Sequence, residues 1–127
     1  MKFIDANLIL RYLLEEPKAN LVEKLLERKE KLYLADMVVA EVIWTLISFY
    51  KRKKGEFIEA LEAFIALEFV NADKKLLGTA IEIYKKFNVD YINAYLTALM
   101  QKKNVKILYS FDRDFDKIPG IRRLEPK

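Results

Sequence analysis

A chain of 127 residues, 53% hydrophobic and 33% charged, has the size and composition of one globular domain with a real core. It contains no Cys and no His, which excludes disulfides, thiolate chemistry and imidazole chemistry. No apolar stretch approaches the roughly 20 residues of a membrane span, and the net charge of +4 permits a polyanionic partner without requiring one.

Met1 to Leu14 carries Asp5 and Arg11 and no small-residue cleavage site, so it does not read as a signal peptide, and a cytoplasmic location is expected. Lys2 to Ile4 reads as a first strand and Asn7 to Glu15 as a short helix. Pro17 suits the start of a second helix, whose Leu21, Leu25 and Leu26 share a face. Leu32 to Ala35 is a short strand. Asp36 is expected to cap a long helix running to about Lys53 and broken by Gly55. Phe57, Leu61, Phe64 and Ile65 make the apolar face of the next helix, and Phe69 and Val70 a third strand. Asp73 to Phe87 is helical, with Leu77, Ala80, Ile81 and Tyr84 on one stripe. Asp90 to Lys103 is a further helix, Val105 to Tyr109 a fourth strand, and Ile121 to Leu124 a candidate edge strand. Strands alternating with helices predict an α/β domain over residues 1–127 with a mainly parallel sheet of four or five strands. Sites in such sheets form beyond the carboxyl ends of the strands.

Five carboxylates stand out against this pattern: Asp5, Glu41, Asp90, Asp112 and Asp114. Asp5 ends the apolar start of the chain. Glu41 is the only charge between Met37 and Ile47. Asp90 opens the apolar run Tyr91 to Met100, and Asp112 and Asp114 follow the fourth strand. An unpaired buried carboxylate costs on the order of several kcal/mol or takes up a proton. Several converging on one point imply a bound cation, and with only oxygen ligands available that cation is Mg²⁺ or Mn²⁺. Each acid also has a plain structural reading. Asp5 and Asp90 read equally as helix N-caps, Glu41 as a core glutamate paired with a cation, and Asp112 with Asp114 as a solvated, turn-stabilising pair.

The order and spacing of four segments resemble the PIN domain, in particular its VapC-type toxins from prokaryotic toxin–antitoxin pairs. They are Phe3-Ile-Asp-Ala-Asn-Leu-Ile-Leu10, Val39-Ala-Glu-Val-Ile-Trp44, Val89-Asp-Tyr-Ile-Asn-Ala-Tyr95 and Ser110-Phe-Asp-Arg-Asp-Phe115. The resemblance covers essentially the whole chain and implies a three-layer α/β/α fold around a central parallel sheet. It implies an Mg²⁺- or Mn²⁺-dependent endoribonuclease leaving a 5′-phosphate and a 3′-hydroxyl. It also implies a homodimer, and a cognate antitoxin protein whose tail covers the acidic cleft. The family pattern carries over Asp5, Glu41 and Asp112 as core acids and Asp114 as an auxiliary one, with the carboxyl groups of the first three expected in one cleft.

The chain departs from the family at one place. The family writes its helix as Asp-Phe-x-Asp-Ala, whereas this chain has Asp90-Tyr91-Ile92-Asn93-Ala94, so Asn93 stands where a third core acid is usual. Asn brings an amide oxygen and no charge. Asp90, three residues earlier on roughly the same face, is the candidate to replace it as catalytic acid and metal ligand. Thr97 continues that face and Arg113 sits between two acids, and both are candidate phosphate contacts. A second reading is a catalytically weakened PIN domain that binds RNA or an antitoxin. A metal-dependent phosphatase is disfavoured, because its Asp-x-Asp follows the first strand rather than a late one. Lys51 to Lys54 is expected to end the long helix as cations at its carboxyl end. Tyr12, Trp44, Phe49 and Tyr50 read as core or oligomer contacts, Trp44 near the site wall.

Overall fold

Leu32 and Val70 are almost fully buried, and both lie on short strands whose neighbours run the same way. The computed structural model describes residues 1–127. Its contacts divide into two units, Met1–Lys74 and Lys75–Lys127.

The first unit contains β1 (Lys2–Phe3), α1 (Ala6–Leu13), α2 (Ala19–Glu27), β2 (Leu32–Tyr33), α3 (Asp36–Ser48), α4 (Ile58–Ala66) and β3 (Val70–Asn71). The strands lie in the order β1-β2-β3, all parallel, with Lys2 opposite Leu32 and Leu32 opposite Val70. Backbone bonds from Ile4 N–H to Tyr33 (3.1 Å) and from Leu34 N–H to Asn71 (2.8 Å) carry the ladder one residue further. Parallel neighbours require helical crossovers, and the helices between these strands supply them. Helix α1 packs on α2 and α3, and α4 on β3. Phe57, Leu61, Phe64 and Ile65 are buried, as their spacing predicts.

Both boundaries of α3 differ from expectation. Asp36 is the first residue of α3 rather than its cap, and Ala35 holds the cap position. There its charge still favours the positive end of the helix. Helix α3 stops at Ser48, well short of Lys53 and Gly55. Lys51 takes a left-handed backbone (φ 55°), and the N–H of Arg52 turns back to Leu46 at 2.8 Å, which closes the helix end without a glycine. The four cations at 51–54 therefore follow the helix instead of extending it.

The second unit contains α5 (Lys74–Lys86, starting on the last residue of the first unit), α6 (Tyr91–Lys102), β4 (Ile107–Tyr109) and β5 (Arg122–Leu124). A 3₁₀ turn, Arg113–Lys117, leads from β4 toward β5. Strands β4 and β5 are parallel, with Ile107 opposite Arg122 and Tyr109 opposite Leu124. Leu77, Ala80, Ile81 and Tyr84 form the buried stripe of α5. Tyr84 meets Tyr91 of α6 edge-on, with ring centroids 5.6 Å apart. Five strands thus form, all in parallel pairings, three in the ladder of the first unit and two in that of the second.

Candidate functional site

Asp5 follows β1 and caps α1. Its backbone is extended (φ −108°, ψ 177°), and its Oδ1 accepts from the N–H of Leu8 at 3.2 Å. This is the N-cap reading, realised at the carboxyl end of a strand, and the side chain remains exposed.

Glu41 overturns the expectation of a buried charge. Helix α3 buries Val39, Val42, Ile43 and Leu46 on one side. Glu41 lies on the other, between Met37, 83% exposed, and Trp44, 65% exposed. The run is apolar because α3 carries apolar residues on its outer face as well as its inner one. Glu41 therefore stays hydrated and needs no internal partner. Trp44 and Phe49 are likewise exposed rather than core, whereas Tyr12 is half-buried with its ring 5.8 Å from that of Phe64.

The other candidate residues lie in the second unit. Asp90 occupies the cap position of α6 with extended backbone (φ −66°, ψ 152°), and its side chain makes no capping bond. It lies near Tyr84, whose hydroxyl pKa is pushed up to about 12, first by burial and then by the charge of Asp90. Asn93, at the first turn of α6, donates from Nδ2 to Oδ2 of Asp112 at 2.9 Å. Thr97 is only 1% exposed, and its hydroxyl donates to the carbonyl of Asn93 at 2.8 Å. Thr97 thus braces the helix beneath Asn93, with its hydroxyl turned to the backbone.

Asp112 caps the 3₁₀ turn after β4. Its Oδ1 accepts from the N–H of Asp114 at 2.9 Å, and its own N–H donates to Oγ of Ser110 at 3.0 Å. The N–H of Asp114, and next the amide of Asn93, hold the Asp112 carboxyl below the ordinary carboxylate range. Desolvation opposes them, and the charges of Lys117 and Arg123, each a smaller influence, act in the lowering direction. Asp114 pairs with Lys117 at 2.9 Å, and Lys117 also donates to the carbonyl of Asn88 at 3.1 Å. Arg113 is exposed.

Sequence reasoning passed over Arg123. Its Nε and Nη2 donate to the two carboxylate oxygens of Asp116 at 3.0 and 3.3 Å. Its Nη1 donates to the Ser110 carbonyl at 2.9 Å and to Glu125 at 2.6 Å. The signal available in the sequence was the alternation of β5, which turns Arg123 to the opposite face from Arg122 and Leu124.

The donors near these positions are oxygens, which suits a hard dication in kind. In neither unit do three or more carboxylates stand together so as to hold a metal ion. In the second unit Asp112 and Asp114 are met by protein donors: the Asn93 amide on Asp112 and the Lys117 ammonium on Asp114.

Comparison with known proteins places this arrangement in a family. The PIN domain model matches residues 2–121, across both units. A VapC ribonuclease of Aquifex aeolicus (strain VF5) is 27% identical over 132 residues, covering 99% of this chain and 97% of that protein. The crystal structure of Mycobacterium tuberculosis VapC20, described as a sarcin-ricin loop cleaving toxin, matches at 19% identity with a TM-score of 0.43, covering 91% of this chain and 93% of that one. With a family model running through nearly its whole length, the chain belongs to the PIN domain family, and within it resembles the VapC type.

Proposed function

We propose that this protein is a VapC-like toxin, a metal-dependent endoribonuclease that hydrolyses RNA phosphodiester bonds. In this reading residues 1–127 act as one domain, in the cytoplasm, as a homodimer restrained by a cognate antitoxin protein. The observation that carries it is Asp112, a carboxylate just past strand β4 whose position is set by two hydrogen bonds, in a chain of PIN family membership. The end-to-end similarity to a protein named as a VapC ribonuclease supports RNA as the substrate.

Asp5, Glu41, Asp90 and Asp112 are the assigned catalytic acids, with Asp5, Asp90, Asp112 and Asp114 as the residues that would hold Mg²⁺ or Mn²⁺. Such an ion, when bound, supplies an activated water and neutralises charge on the phosphate oxygens. The protein's own part is orientation and charge. Asp112 is ionised at neutral pH, so it offers an oxygen ligand with no proton to remove. Arg113, exposed beside it, offers a planar guanidinium to a phosphate. The net charge of +4 favours approach of a polyanion.

A specific observation favours a second reading, a catalytically weakened PIN domain that binds RNA or the antitoxin. Asn93 meets Asp112 with amide hydrogens at a position where the family pattern has an acid. RNA cleavage measured with Mg²⁺, with Mn²⁺ and with a chelator separates the two. An active parent silenced by Asp112→Asn supports the nuclease. A parent that binds RNA without cutting, and gains cleavage as Asn93→Asp, supports the second reading. Equal, metal-insensitive cleavage in all three proteins overturns both.

A further inference from the structure

Asp112 and Asp114 lie on a loop, residues 110–116, and one side chain holds that loop at both ends. Ser110 stands two residues before Asp112 and Asp116 two residues after Asp114. Arg123 reaches across from β5 and bonds to the Ser110 carbonyl with Nη1 at 2.9 Å, and to both oxygens of Asp116 with Nε and Nη2 at 3.0 and 3.3 Å. The N–H of Ser110 also donates to the Leu124 carbonyl at 3.0 Å, so the residue after Arg123 fastens the same point. The Arg123 side chain is only 11% exposed, which limits competition from water for these bonds.

We propose that Arg123 is a positioning residue. Its guanidinium clamps the two ends of the acid loop and thereby sets where the Asp112 carboxylate stands against the Asn93 amide. The shape of the group matters as much as its charge. A planar fork satisfies a carboxylate in bidentate fashion while its other edge serves a carbonyl. An ammonium is a point charge and cannot span both partners in fixed geometry. Without the clamp the loop keeps its local bonds, Asp112 N–H to Ser110 Oγ and Asp114 N–H to Asp112 Oδ1, but loses its tether to β5.

The consequence for cleavage rests on the ribonuclease reading, whereas the clamp does not. The test uses the full chain and the variants Arg123→Lys, Arg123→Ala and, as control, Glu59→Gln, each at a temperature where circular dichroism shows it folded. Two quantities are read: amide hydrogen exchange along residues 110–116, and kcat and KM for RNA with Mg²⁺. Both Arg123 variants are expected to raise exchange in the loop by about tenfold or more, with helix α5 unchanged. Their kcat is expected to fall about 10–100-fold with KM little altered, because an orienting partner is lost rather than a substrate contact. Glu59→Gln, at an exposed position of α4, changes neither quantity. If Arg123→Ala does not fold, Arg123→Lys and Asp116→Asn carry the test. Unchanged loop exchange overturns the clamp. So does restoration of kcat by lysine, or a loss of melting temperature alone with kcat intact, or a rise in KM alone. If the parent cuts no RNA with either metal, the ribonuclease reading fails, and the exchange data alone decide the clamp.

Discussion

Asp5 and Asp112 hold matching places in the two units. Each follows a parallel strand, and each caps the helical turn that comes next. They are held very differently. Asp5 accepts one backbone hydrogen bond, at 3.2 Å. Asp112 accepts two at 2.9 Å, from a backbone N–H and from the side chain of another helix, on a loop tied to β5 by Arg123. A cap orients one oxygen of a carboxylate and leaves the other to solvent. A cap reinforced from outside its own turn fixes both. Glu41, exposed on α3 with no ion pair within its unit, is the limiting case of a carboxylate with nothing to orient it.

The largest expected effects test whether this difference in restraint matters for chemistry. Asp112→Asn is expected to lower metal-dependent RNA cleavage by at least about 100-fold, more than loss of an orienting partner alone. Asp5→Asn and Glu41→Gln are expected to do the same, despite their looser setting. Residues that act as one unit give strongly non-additive losses. On the proposed assignment of both acids to one reaction, the double variant Asp5→Asn/Asp112→Asn should be no worse than either single change in kcat/KM. Losses that multiply would show that the two acids work independently and would break the assignment of both to one reaction.

Asn93→Asp has the next largest effect. In place of a 2.9 Å donor–acceptor contact it sets two carboxylates face to face. Without a cation, like charges this close disfavour joint ionisation. The variant should melt a few degrees below the parent in chelator, and Mg²⁺ or Mn²⁺ should restore more of its stability than it adds to the parent, by binding the native state alone. On the proposed reading of position 93 as a ligand position, RNA cleavage should rise by about tenfold or more. Equal melting temperatures in chelator would show that the Asn93–Asp112 bond does not position either group.

Much of this was legible in the sequence, and the failures have physical causes. Periodicity located the helices, because apolar stripes such as Leu77, Ala80, Ile81 and Tyr84 follow the helical repeat and are buried. The strand-end rule placed Asp5 and Asp112. The end of α3 was not legible, because the chain stops that helix with a left-handed lysine, a position where glycine is the usual signal. Glu41 was misread as buried because one apolar run supplies two faces of α3, and a pattern of residue types does not say which face is covered. Asn93 was noticed as a gap in a pattern, but its donation to Asp112 needs the approach of α6 to the acid loop. The alternation of β5 sets Arg123 apart, but its role was not legible for the same reason: its partners at Ser110 and Asp116 lie 13 and 7 residues away.

A smaller effect separates capping from chemistry in the first unit. Asp5→Ala removes the bond to the Leu8 N–H and is expected to cost about 0.5–2 kcal/mol of stability. Asn caps nearly as well as Asp, so Asp5→Asn should leave stability almost unchanged while silencing cleavage. Urea unfolding of the two variants reads this difference. Glu41→Gln, at an exposed site, should stay within about 0.5 kcal/mol of the parent. A large loss of stability in Asp5→Asn would mean that the carboxylate charge itself supports the fold, and its effect on cleavage would then say little about catalysis.

The smallest effect lies on the acid side of the stability profile. The folded-state pKa of Asp112 is below its ordinary value of 3.8, so the native state binds this proton less readily than the unfolded chain. The contribution to stability is therefore complete above about pH 4 and is lost as the pH falls through the folded-state value. Asp112 is exposed, so the contribution is modest. Melting temperatures of the parent and Asp112→Asn should differ most near neutral pH and converge in strong acid. Asn93→Ala removes the amide bond to Asp112 and leaves the stronger influence, the N–H of Asp114, in place. Its acid limb should fall between the other two. Parallel curves for all three proteins would mean that the bonds on Asp112 do not favour its charged form, and the contrast with Asp5 would then be one of geometry alone.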